Sequence, residues 1–411
     1  MGKELVPELR FEGFEEPWEE KKLGDVVQIC DSARIPNNLW TQSGIPYIRA
    51  SDISAGNLEA SLYISEETYR FYSSKTGAPM AGDLLFNGGG EIGASMVNDG
   101  LRAIYPQGGA VLYAKTSTSN DLSGDFLKHL FATSSVSRQI DVLSAGGTMK
   151  HFTLNPAKEL TIAKPHHSEQ SDISTSLNNL GLIITLHQRK YEALRAVKSS
   201  MLDKMFPKEG ETEPELRFDG FTGPWERVKL SDVYRKGDEK NSELEFGFDR
   251  TISVSNMKWN PAGNGAASSS LPTYKILRKG DIAFEGNRTK GHPYGKMVIN
   301  DIGDGIMSSR FRTIAARGPV CIRFWKYYLL NDAVFRPIYI RSTKRGTLMT
   351  ELVTEELLES ELLIPSSEEQ ELIGGALNAA DKQIVCEATN LATLKQLKAA
   401  LLDKMFPKGA R

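Results

Sequence analysis

Hydrophobic side chains recur at steps of four and three along two long stretches of the chain. After Pro165 the series is Ile173, Leu177, Leu180, Ile184, His187, Tyr191, Leu194, Lys198, Met201 and Met205. After Pro365 it is Ile373, Leu377, Ala380, Ile384, Glu387, Leu391, Leu394, Lys398, Leu401 and Met405. A stripe this narrow, sustained over several heptads, is the seam of a coiled coil rather than the broad apolar face of a short surface helix. The seam turns polar at the same two places in both series, His187 and Glu387, then Lys198 and Lys398. Matching interruptions predict that the helices pack on each other, with these side chains fixing register. Pro207 and Pro407 stop both helices, since proline cannot continue the hydrogen-bond ladder. The predicted helices run from about Ser168 to Phe206 and from about Glu368 to Phe406, roughly 58 Å each at 1.5 Å per residue. Rods of that length act as spacers.

The stretches before the helices, about 21–165 and 228–365, are rich in β-branched and aromatic residues punctuated by glycine, the pattern of mostly strand with some helix. They are two copies of one frame. Pro7-Glu8-Leu9-Arg10-Phe11 with Pro17-Trp18-Glu19 returns as Pro214-Glu215-Leu216-Arg217-Phe218 with Pro224-Trp225-Glu226, and Leu202-Asp203-Lys204-Met205-Phe206-Pro207 returns as Leu402-Asp403-Lys404-Met405-Phe406-Pro407. Inside the bodies, Gly82-Asp83-Leu84-Leu85-Phe86 matches Gly280-Asp281-Ile282-Ala283-Phe284, and Tyr47–Ile53 matches Thr251–Met257. The residues directly after the Gly-Asp match differ: Asn87-Gly88-Gly89-Gly90-Glu91-Ile92-Gly93 against Glu285-Gly286-Asn287-Arg288-Thr289-Lys290-Gly291-His292. A constant strand leading into a variable loop is how a scaffold carries a recognition element. The charged stretch 208–213 reads as an exposed linker. The predicted fold class is α+β, with two similar mixed, strand-rich globular domains, two long helices and an internal pseudo-twofold repeat.

Composition bounds the function without naming it. At 411 residues, with 40% hydrophobic and 25% charged residues, the chain suits two to four domains of an ordinary globular protein. No apolar run approaches the roughly 20 residues that span a bilayer, and the N-terminus lacks a signal-peptide stretch, so a cytoplasmic protein is expected. Cys30, Cys321 and Cys386 are far apart, which predicts reduced, partly buried thiols and neither zinc nor disulfides. The net charge of −2 conceals an asymmetry: residues 271–350 hold fifteen Lys/Arg against five Asp/Glu, residues 351–370 hold seven Glu and no base, and residues 71–150 hold six of each sign. One body is basic and the other neutral.

Catalytic motifs are missing. Gly88-x-Gly90-x-x-Gly93 would need a helix behind it to hold a phosphate, whereas Ala94–Gly100 reads as a strand returning from a hairpin turn. Asn155-Pro156-Ala157 and Asn260-Pro261-Ala262 lack the aromatic of an amino-methyltransferase motif. No Walker loop, His-Glu-x-x-His or Gly-x-Ser-x-Gly occurs. His166-His167 reads as exposed polar residues, and Glu368-Glu369 as carboxylates complementing a helix N-terminus. No catalytic residue and no metal site is expected. The candidates that remain are polar and basic loop residues suited to reading DNA: Arg49, Asn87, Lys150 and His151 in the first body, and Arg288, Lys290, His292, Arg310, Arg312, Lys344 and Arg345 in the second.

Two variable bodies, each followed by a Pro-x-x-x-Glu-Gln-x-x-Ile-x-x-x-Leu helix, resemble the specificity subunit of type I restriction-modification enzymes. The signature stands as Pro165, Glu169, Gln170, Ile173 and Leu177, and again as Pro365, Glu369, Gln370, Ile373 and Leu377. The resemblance implies target-recognition domains at 1–165 and 208–365, each reading one half of a bipartite asymmetric DNA site. It implies conserved helices at 166–207 and 366–411, forming an antiparallel coiled coil that sets the spacing. It implies double-stranded DNA, two adenine methyltransferase subunits and restriction/translocase subunits as partners. S-adenosylmethionine would be bound by the methyltransferase, ATP and magnesium by the restriction partner, and no cofactor by this chain. Two alternatives stay open: a stand-alone DNA-modifying enzyme of unfamiliar type, and a coiled-coil scaffold that binds no DNA.

Overall fold

The computed structural model describes residues 5–408 apart from 59, 145–149, 263, 264, 266, 290, 291 and 346–349. In the first body, strands β1 (Ile29–Asp31), β2 (Leu84–Asn87), β3 (Ser95–Val97) and β4 (Val111–Ala114) form an antiparallel sheet in the order β1-β4-β2-β3. Helix α1 (Gly124–Phe131) packs on this sheet, and the tail is α2 (His167–Lys204). The second body repeats the plan with β5 (Tyr234–Gly237), β6 (Ile282–Glu285), β7 (Lys296–Ile299) and β8 (Arg312–Ala316) in the order β5-β8-β6-β7. Its helix α3 (Ile322–Tyr328) is followed by the tail α4 (Ser367–Lys404). Among the described residues helix outweighs strand, 41% against 19%, because the tails contribute 38 residues each while the body strands are short.

The Gly-Asp match is a structural staple. Asp83 accepts hydrogen bonds from the amides of Met80 and Ser117, and Asp281 does the same for Arg278 and Ala316. Gly82 and Gly280 hold φ of 87° and 96°, a region that disfavours any side chain. The other aligned segment diverges: Ala50–Ser54 is a short helix, whereas 254–257 is a turn.

Contacts divide the chain into two compact units, Met1–Gln188 with Asn390–Arg411, and Arg189–Thr389. Each unit therefore holds one body and parts of both tails, and the paired tails can be followed inside each. In the first unit, Ile173 and Leu177 share a core with Leu401 and Met405, and a side chain at Gly181 would lie 3.4 Å from Lys398 Nζ. In the second, Met201 and Met205 share a core with Ile373 and Leu377, and Lys198 pairs with Asp381 at 2.5 Å. Numbers fall along one helix as they rise along the other, so the pairing is antiparallel. All predicted seam positions are buried or half-buried: Ile173, Leu177, Leu180, Ile184, Tyr191 and Leu194 on α2, and Ile373, Leu377, Ile384, Leu391 and Leu394 on α4.

The polar seam positions have distinct partners. Glu387 is buried and pairs with Lys190 at 3.1 Å. Lys198 lies over the Tyr327 ring while Tyr327 donates its own hydrogen bond to Asp381 at 2.7 Å. Lys398 is half-buried, which pushes its pKa down, and the charge of Lys128 adds to that. Beside it His129 is buried with Nε2 2.9 Å from Asn178 Oδ1, and burial first, then Lys128, pushes its pKa down to about 4.

The repeated words at the ends of each copy meet in the same way in both units. The Leu216 amide donates to the Lys204 carbonyl at 2.8 Å, and the Leu9 amide to the Lys404 carbonyl at 2.9 Å. Phe206 packs against Trp225 and Phe324 at 6.3 and 6.0 Å; Phe406 packs against Trp18 and Phe126 at 5.8 and 5.5 Å. The Met-Phe-Pro that closes one copy thus completes the core of the other copy's body.

Candidate nucleic-acid interface

The residues of the repeated Pro-x-x-x-Glu-Gln signature are structural. Arg10 holds both oxygens of Glu169 at 2.7 Å, and Arg217 holds Glu369 at 2.8 and 2.9 Å; each carboxylate is 1% exposed. Glu369 thus does more than complement a helix N-terminus: it ties the opening segment of its copy to the tail. Gln170 reaches the carbonyls of Asp121 and Pro165, and Gln370 that of Pro365. His166 and His167 are exposed. No group able to hold a metal occurs among the described residues, and none of their helices is long and apolar enough to cross a membrane. Cys30 and Cys321 are half-buried thiols; Cys386 is exposed rather than partly buried, because it stands on α4 away from the seam.

The variable loop of each body converges on the segment just before a short helix, Leu154–Lys158 in the first body and Thr354–Leu358 in the second. The amide of Phe152 donates to the Gly88 carbonyl at 2.8 Å, and that of Thr350 to the Gly286 carbonyl at 2.9 Å. A Cβ at Gly88 would meet Phe152 O at 2.5 Å, and one at Gly286 would meet Thr350 O at 2.2 Å. Only glycine permits so close a backbone approach. Gly88–Gly93 is the turn of the β2–β3 hairpin, with no helix behind it, so it has no phosphate-cradling geometry.

This convergence gathers the first-body candidates. His151 is exposed beside Gly89, and Lys150 is exposed, 4.0 Å from Asp141. Arg49 is half-exposed and engaged with Asp52 at 3.3 Å. Asn87 is fully buried; its amide donates to Ala50 O and Ser54 Oγ at 2.9 and 3.1 Å, while its Oδ1 has no partner. The side chain of Asn87 therefore holds the sheet to the Ala50–Ser54 helix instead of standing at the surface.

In the second body Arg288, Arg310, Arg312 and Lys344 are exposed. None of the four is in an ion pair among the described residues. Arg310 lies 4.6 Å over the Phe311 ring, and Lys344 stands opposite Glu351 in a two-stranded ladder. His292 is half-buried and lines a cavity of about 170 Å³ with Tyr294, Asp332, Arg336 and Tyr339. Lys290 lies outside the described residues, as does the side chain of Arg345. Sequence reading passed over Lys236, Lys240 and Lys275, which are scattered along the chain and meet Arg312 only through strand pairing. It also passed over Arg250, stacked 4.1 Å from the Trp259 ring. The dense basic run 271–350 was the only signal that pointed toward this face.

Residues 15–196 match the family described as type I restriction modification DNA specificity domain. The first body and most of its tail are thus similar to this specificity domain. A Haemophilus influenzae protein named as a type I restriction enzyme specificity subunit is 26% identical over 186 residues. That alignment takes in 42% of this chain and 46% of that protein, so it spans about half the length of the curated relative. The crystal structure of a type I restriction-modification system S subunit from M. genitalium matches with a TM-score of 0.61, over 99% of this chain and 100% of that one, at 15% identity. The fold is therefore shared from end to end. Within this shared fold, the signature residues are those that bind body to tail, and the loops that differ between copies are those that converge at Gly88 and Gly286.

Proposed function

We propose that this chain is the DNA sequence-specificity subunit of a type I restriction-modification complex. The observation that carries the reading is one body-and-tail architecture built twice in one chain, with its framework kept and its loops changed. Each body reads one half of a bipartite asymmetric site, and the paired tails set the spacing and dock two adenine methyltransferase subunits. The chain is non-catalytic and works in the cytoplasm, where its DNA is. S-adenosylmethionine enters with the methyltransferase subunits, and ATP and magnesium with the restriction/translocase subunits. The missing catalytic motifs support this division of labour.

Single-molecule methylome sequencing of the host with and without the gene tests the proposal. One bipartite adenine-methylation motif disappears with the gene; an unchanged methylome overturns the reading. Methyl transfer by the purified chain alone would favour a stand-alone modifying enzyme. DNA binding that is absent or indifferent to salt, with the methyltransferase partner present, would favour a scaffold.

A further inference from the structure

We infer that the second body, and not the first, carries a DNA-phosphate-binding cluster at the edge of its sheet, formed by Lys236, Lys240, Lys275 and Arg312. The inference rests on the DNA-specificity reading and adds that the two half-sites are held by different physics. Lys236 stands on the edge strand β5, paired to β8, and Arg312 opens β8. Lys240 and Lys275 face each other in an isolated antiparallel bridge. Lys275 Nζ donates to the Phe311 carbonyl at 2.9 Å, which holds its ammonium beside Arg312. Arg312 pairs with Phe284, so the cluster lies at the end of β6 from which the variable loop 286–295 departs.

Among the described residues the cluster is short of counter-charge. The carboxylates shown against it are Glu355, bonded to Lys236 at 2.8 Å and also attracted by Arg312, and Asp238. Burial pushes the Lys275 ammonium toward its neutral form, and Arg312, Lys236 and Lys240 push it the same way against Asp238. Lysine and arginine gathered at a sheet edge suit the oxygens of a nucleic-acid backbone, which position a protein on the duplex without reading sequence. Bound phosphates would relieve the crowding that the folded protein otherwise tolerates.

The first body has no cation at the positions that match Lys236 and Arg312. Ile29 pairs with Ala114 as Lys236 pairs with Ile314, and Leu112 pairs with Phe86 as Arg312 pairs with Phe284. Ile29 and Leu112 are buried core residues. Several first-body cations are matched locally instead: Arg49 with Asp52, Arg70 with Glu66, Lys128 with Asp125 and Lys150 with Asp141. The second half-site is thus gripped electrostatically, while the first relies on neutral groups or on charge supplied by a partner subunit.

The test measures DNA affinity against KCl for the full chain assembled with its methyltransferase subunits, on duplexes with and without the target site. Each cation–phosphate contact contributes about 0.9 to the log–log salt slope. The double variant Lys240→Gln/Arg312→Gln is therefore expected to lower the slope by about 2 on both duplexes. The charge-keeping variant Lys240→Arg/Arg312→Lys keeps the wild-type slope, and Arg70→Gln, the first-body control, also leaves it unchanged. A wild-type slope in Lys240→Gln/Arg312→Gln overturns the cluster while leaving the specificity reading intact. A loss confined to the target duplex overturns it too, by making these residues base readers. Wild-type complex that binds neither duplex would overturn the specificity reading itself.

Discussion

At the residue scale, the most constrained side chains are the carboxylates that anchor each tail. Glu169 is almost completely buried, and its charge is met by a bidentate guanidinium from Arg10 with the Trp18 indole 3.4 Å away. Removing one member of such a pair strands a charge in the interior, which costs about 3–5 kcal/mol. Arg10→Ala and Arg217→Ala are each expected to lower stability by about that amount in urea unfolding, whereas Arg70→Ala, at an exposed pair, should change it by less than about 1 kcal/mol. His129 supplies a second test. Its folded pKa lies below its unfolded value, so the unfolded chain binds the proton more readily and acid favours unfolding. The contribution is intact above about pH 6.5 and is lost as the pH falls toward about 4. The loss is about 3 kcal/mol in the first unit. Unfolding followed from pH 7 to pH 4.5 should show a drop that His129→Gln flattens; equal slopes in both proteins would refute the assignment.

At the element scale, the heptad reading translated directly into burial, because a step of four and three keeps one face of a helix turned to its partner. The polar interruptions translated less uniformly. Lys198 found Asp381 and the Tyr327 ring, while Lys398 lies near Lys128 without an acidic partner of that kind. If the paired tails act as a ruler, inserting one heptad after Tyr191 and another after Glu387 keeps the seam in register. It lengthens the rods by about 10 Å, or roughly three base pairs at 3.4 Å each. Methylome sequencing should then show a recognition motif with a spacer wider by about that number. An unchanged spacer would remove the ruler role.

At the scale of the whole molecule, duplication leaves one framework holding two bodies of different local charge. Arg288 stands in the exposed loop of the second body, on the side of Gly286 that varies between copies. Substituting it by Gln is expected to alter or relax the second half of the methylated motif and leave the first half unchanged. A change in both halves, read from the methylome, would contradict one body per half-site.

The sequence alone determined the repeat, both tails and their seam, and the matched strands, since these depend on periodicity and on words that recur. It also located the variable loops, because they follow a strand that recurs in both copies and themselves differ. Only the tertiary structure decided which polar residues face solvent. Asn87 was eligible by type, and packing against Ala50 took it inside. Glu369 was eligible as a helix-end carboxylate, and Arg217 from a segment 152 residues earlier claimed it. Lys236, Lys240, Lys275 and Arg312 become neighbours through strand register. Local alternation decides which face of a strand is buried, but which strands lie side by side, and so which of their cations meet, is decided only when distant segments pair.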